Sequence, residues 1–111
     1  MRLRIDTSNV RFRVAGLAHP RNESRERQVQ KTTPDGRPIW TVRLNAIDGP
    51  AASTESIWVE VAGDQPQLVL DEIATVQGLT FSPWVNRKNE LVRAFRAEAI
   101  TIDVAARRTA A

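Results

Sequence analysis

The chain has 111 residues and a mass of 12.4 kDa, with 41% hydrophobic, 26% charged and 5% aromatic residues and a net charge of +3. That length suits one domain with a single core, and the apolar share argues against wholesale disorder. The absence of cysteine excludes disulfide frameworks, thiolate metal sites and cysteine nucleophiles.

Taken in chain order, the first element is Val10-Arg11-Phe12-Arg13-Val14. Strict alternation puts Val10, Phe12 and Val14 on one face and both arginines on the other, the pattern of a half-buried strand. Residues 19–27 are polar and read as a loop or a frayed strand start. Thr33-Pro34-Asp35-Gly36-Arg37-Pro38 is a dense turn cluster, in which Gly36 supplies the positive φ a hairpin needs. Ile39 to Ile47 alternates again, with Trp40, Val42, Leu44 and Ala46 on the apolar face and Ile39, Thr41, Arg43 and Asn45 opposite. Asp48-Gly49-Pro50 ends it.

The third strand is Ser56 to Ala62, where Ile57, Val59 and Val61 face one way and Trp58 and Glu60 the other. Gln67 to Glu72 reads as a short helical turn. Ile73 to Phe81 is β-branched and continues past Gly78, which predicts a fourth strand with a bend or bulge there. Ser82 to Glu90 reads as a polar, basic loop. Leu91 to Val104 reads as a long last strand, with a helix over Ala94–Ala99 as the alternative. This pattern predicts an all-β, five-stranded OB-like Greek-key barrel with a short helical turn between strands three and four. An SH3-like barrel is the competing topology. One domain over residues 1–104 and a flexible tail over 105–111 complete the expected organisation.

Charge is unevenly distributed along the chain. Residues 1–47 carry ten basic groups against four acids (+6), residues 48–82 carry six acids and no base (−6), and residues 83–111 carry six bases against three acids (+3). Fourteen of the sixteen basic residues are arginine, whose planar, permanently charged fork suits phosphate and stacks on bases.

Enzyme chemistry finds no anchor. His19 is the only histidine, so a transition-metal site or a Ser-His-Asp triad lacks its parts. No glycine-rich phosphate loop is present. Asp71 and Glu72 adjoin, but neighbours on a strand would face opposite ways, so they make no acid–base pair. The expectation is a non-enzymatic protein without cofactor or metal. No apolar run reaches the ~20 residues that cross a bilayer. Met1 to Asp6 lacks the apolar core of a signal peptide, so a cytoplasmic location without membrane attachment is expected.

Aromatic side chains interleaved with basic ones carry the positive case. Single-stranded nucleic acid is held by stacking bases on aromatic rings while a basic groove follows the phosphates. Trp58 lies opposite the apolar face of its strand, and Arg43 shares its face if the two strands pair. Arg11 and Arg13 point outward on the first strand. Phe81 and Trp84 flank Pro83 just before Arg87 and Lys88, in position to fold over a bound strand. The expected roles are base stacking by Trp58, Trp84 and Phe81, and phosphate contact by Arg43, Arg87, Lys88, Arg11 and Arg13. Trp40, Phe12 and Phe95 are expected in the core. Glu60 stands against the site, because it shares the face of Trp58 and repels phosphate.

Several stretches also carry a resemblance: Asp35-Gly36-Arg37-Pro38-Ile39-Trp40, Ile57-Trp58-Val59-Glu60-Val61, Gln77-Gly78-Leu79 with Pro83-Trp84, and Phe95-Arg96-Ala97-Glu98-Ala99-Ile100. Together, over residues ~10–102, they resemble small proteins of actinobacterial plasmids and integrative conjugative elements, of the replication- or excision-activator type. Those are similar in layout to single-stranded-DNA-binding OB folds, which often place a glycine before strand four where this chain has Asp71. The resemblance implies single-stranded DNA as partner and a place in mobile-element replication, excision or conjugative transfer. The rival expectation is a module that docks a replication or transfer protein, or assembles as a homodimer or higher homo-oligomer, since tryptophan and arginine also anchor protein interfaces.

Overall fold

A computed structural model describes residues 3–8, 10–21, 29–48, 53–85, 88–89 and 91–104. Over these described residues the fold is all-β, a curled eight-stranded sheet shaped like a half-barrel. Its strands are β1 (Leu3–Arg4), β2 (Val10–Pro20), β3 (Ile39–Asp48), β4 (Ser53–Ala62), β5 (Ile73–Gln77), β6 (Thr80–Val85), β7 (Leu91–Ala97) and β8 (Ala99–Ile102). The order across the sheet is β1-β6-β7-β4-β3-β2-β5-β8. An antiparallel meander, β2–β3–β4, forms the centre. β5 adds antiparallel to β2 on one side, and β7 adds parallel to β4 on the other.

The apolar alternation becomes the inner face. Phe12, Val14, Val42, Leu44, Ile57, Val59, Val61, Ala74, Val76, Leu79, Ala97 and Ile100 form one core. Register brings them together, since Leu44 lies opposite Ile57 and Val42 opposite Val59. Trp40 and Phe95 pack against this cluster partly buried, and the Trp40 indole N–H donates to the Gly63 carbonyl at 3.0 Å. The hairpin turn forms as its residues dictate: Gly36 adopts φ 88°, and its N–H donates to the Thr33 carbonyl. There the Thr33 hydroxyl, with Arg37 nearby, holds the Asp35 carboxyl below the usual carboxylate range.

Three expectations are corrected. Among the described residues the strands number eight, not five, because β1 is added ahead of the first expected strand and each of the last two long strands is interrupted. Gly78 turns into the left-handed region at φ 65°, separating β5 from β6. Glu98 lies across from it, separating β7 from β8, and its amide donates to the Gln77 carbonyl. The helix considered for Ala94–Ala99 is likewise strand, with that break inside it.

The second correction concerns Gln67–Glu72, which form no helical turn. Their backbone groups are taken by β2: Asp71 N–H donates to the Val14 carbonyl, and Val14 N–H to the Glu72 carbonyl. One turn of helix gains too few bonds to compete with such partners. Asp71 takes φ 67°, a conformation that glycine adopts without strain and aspartate tolerates better than most residues.

The third correction extends two strands into expected loops. His19 and Pro20 belong to β2, and Ser82 to Val85 belong to β6. Pro83 is accommodated because β6 pairs with β1 only at Thr80 and Phe81, so beyond them it is an edge. The tail 105–111 lies outside the described residues.

The break at Gly78 carries a prediction. A Cβ there would lie 2.6–2.9 Å from the Glu98 side chain, on a backbone that costs an L-residue about 1–2 kcal/mol. Because the end of Glu98 can swing aside, backbone strain sets the cost. Gly78→Ala is expected to lower the melting temperature by roughly 4–8 °C per kcal/mol. The same loss in a Glu98→Ala background would locate the penalty in the backbone.

Candidate nucleic-acid interface

Opposite the core, the β2–β3–β4 meander presents a second face. Arg43 and Trp58 are cross-strand partners on β3 and β4. Trp58 is 54% exposed, and the Arg43 guanidinium carbon lies 5.7 Å from its ring centroid. Nε of Arg43 also donates to the Ser56 hydroxyl at 2.9 Å, which fixes the guanidinium beside the ring. Gly16, opposite Arg43 on β2, allows the strands to come close, since a methyl there would meet the Arg43 Cβ at 3.3 Å.

His19 completes the cluster, its ring 5.8 Å from Trp58 and edge-to-face at 87°. Sequence pattern hides this contact. β2 slips register between Val14 and Gly16 and again between Gly16 and His19, and such irregularities break the two-residue alternation by which a strand is read.

Glu60 shares this face, and its charge is met on both sides. Its Oε1 accepts a hydrogen bond from Arg21 Nε at 3.2 Å, and its Oε2 lies 3.6 Å from Arg96 Nε. The expected repulsion of phosphate is thereby offset. Thr41, the cross-strand partner of Glu60, is buried, and its hydroxyl has no hydrogen-bond partner among the described residues. Ile39 is buried as well. Alternation places both outward, but the β2–β3 connection returns alongside the start of β3, with Arg21 N–H donating to the Ile39 carbonyl and Ile39 N–H to the Lys31 carbonyl.

Arg11 and Arg13 extend the outward face along β2 and are exposed. Arg13 lies opposite Asn45 and donates to the Asp71 carbonyl at 3.2 Å, and Arg11 lies opposite Ile47. Phe81 is not part of this face. It is the cross-strand partner of Phe95, whose ring centroid is 5.2 Å away, and Phe95 is aligned with fully buried Val59. Lys88 is exposed between β6 and β7. Trp84 is paired in register with Val92, but its side chain and Arg87 lie outside the described residues.

The site therefore centres on Trp58, Arg43 and His19, with Arg13 and Arg11 along β2 and the Arg21–Glu60–Arg96 group on the other side. Comparison with protein-family models, curated proteins and solved structures finds no match. Among the described residues no group of three metal-ligating side chains comes together, and no helix is long and apolar enough to cross a membrane.

Proposed function

We propose that this chain is a non-enzymatic protein that binds single-stranded DNA with little sequence preference through the outer face of β2–β3–β4. The observation that carries the reading is the half-exposed Trp58 with the Arg43 guanidinium held over its ring. An exposed indole offers a stacking surface to any base, and fixed arginines offer contacts to phosphate. His19 holds the indole from a second direction, so less side-chain freedom is lost when a base docks. The service to mobile-element replication or transfer follows from the sequence resemblance.

The connectivity supports an OB-like reading of the curled sheet. A three-stranded meander is followed by a connector and then an interrupted hairpin, with β5–β6 as one arm and β7–β8 as the other. The first arm reaches β2 and the second runs parallel to β4. OB folds present this kind of meander face to oligonucleotides.

The test follows tryptophan emission during titration with unlabelled oligo-dT at low and high salt, beside a matched duplex. The expected result is quenching by the single strand, weakened by salt, with no response to the duplex. Silence at low salt overturns the reading. The assembly alternative draws on exposed Val69 and Leu70 in the connector before β5, in the acidic part of the chain. A mass that rises with concentration, without DNA affinity, would favour it.

A further inference from the structure

Glu60 stands two residues along β4 from Trp58 on the same face, about 7 Å away at strand spacing. Its carboxylate lies between Arg21 and Arg96, whose side chains are 52% and 50% exposed against 23% for Glu60. Ion pairs with partners this exposed add little to stability, so the fold does not explain the arrangement. A carboxylate between two guanidinium groups presents what a phosphodiester presents: one negative charge and two acceptor oxygens. Beside it opens a cavity of about 280 Å³, whose wall includes Arg37, Thr80 and Arg96 as well as Glu60 and Glu98. At about 30 Å³ per water, that is room for a group several waters in size.

We propose that Arg21 and Arg96 form a second phosphate-binding point on this face, and that Glu60 occupies it while no strand is bound. The proposal rests on the single-stranded DNA reading and deepens it. A base on Trp58 with its phosphate at Arg43 directs the neighbouring phosphate toward the next row of the sheet, where Glu60 lies. An unstacked strand spans more than the 3.4 Å per nucleotide of a B-form strand and so can step between rows. Glu60 then acts as a competitor that the strand displaces, which keeps affinity moderate and release fast.

The test measures anisotropy of labelled oligo-dT across a salt series with the parent, Glu60→Gln, Glu60→Gln/Arg96→Ala and Asp64→Asn. Glu60→Gln keeps the side-chain size and is expected to bind several-fold tighter, with a salt slope steeper by about 0.7, because no displaced carboxylate takes up a cation in place of the one the phosphate releases. Adding Arg96→Ala should erase the gain. Asp64→Asn makes the same change in net charge at an exposed position just past the end of β4, outside the Arg21–Glu60–Arg96 group, and should leave the slope unchanged. The proposal is overturned if Glu60→Gln binds no tighter than the parent, or if Asp64→Asn reproduces its gain. If the parent binds and Glu60→Gln matches it, the proposal alone fails. If neither binds oligo-dT at low salt, the DNA reading fails and takes the proposal with it.

Discussion

Trp58→Ala is expected to weaken binding of oligo-dT by about 1–3 kcal/mol, the range for loss of one stacking aromatic, or roughly 5–150-fold in Kd. The ring is half exposed and packs on Arg43 and His19 rather than in the core. Its removal should therefore cost the fold little, about 0.5–1 kcal/mol for the lost cation–π contact. Anisotropy of a labelled strand measures the binding, and urea unfolding measures the stability. Trp40→Ala supplies the contrast, because that indole packs against the core and bonds to the Gly63 carbonyl. It should lose stability and keep affinity in the fraction that remains folded. Unchanged oligonucleotide affinity for Trp58→Ala would remove stacking at this position from the account.

Leu44→Ala is expected to cost about 2–5 kcal/mol of stability, through lost apolar burial and the cavity left behind. Leu44 is fully buried at the centre of the meander, opposite Ile57 and in the same core as Val14, Val42 and Val59. That core is built mostly of valine and isoleucine, stiff β-branched side chains that collapse poorly into a gap. Domains of this size are stable by about 5–15 kcal/mol, so the substitution removes a large share. The urea midpoint should fall while the slope of the transition stays the same. Leu17→Ala, at a position 52% exposed, should change stability by no more than about 0.5 kcal/mol. Equal losses at the two positions would contradict the placement of the core.

The two substitutions sort along a division already legible in the sequence. Alternation assigned Val42, Leu44, Ile57 and Val59 to one side and Arg43 and Trp58 to the other, and the sheet keeps those sides. Where alternation stops, the sequence no longer tells the faces apart. The two register shifts in β2 hid His19, and the interruption at Gly78 and Glu98 divided strands that composition alone left continuous. Phe81 sits beside Pro83 and Trp84 in sequence, but it pairs with Phe95 on the core side. Proximity along a strand does not fix a face, because neighbouring residues alternate.

Glu60 shows the other limit. Its sign and its place beside Trp58 are plain in Ile57-Trp58-Val59-Glu60-Val61, and on that evidence it opposes a phosphate. Its partners Arg21 and Arg96 are 39 and 36 positions away in sequence, on the end of β2's path and on β7. The sequence by itself determined an all-β chain, the apolar face of each central strand, and a tryptophan on the opposite face with arginines available nearby. These follow from a two-residue period, which is a local property of the backbone. Only the tertiary structure decided that Arg43 lies over Trp58, that His19 joins them and that Glu60 is held between two arginines, because strand register is set by pairing between distant segments and by the irregularities that shift it.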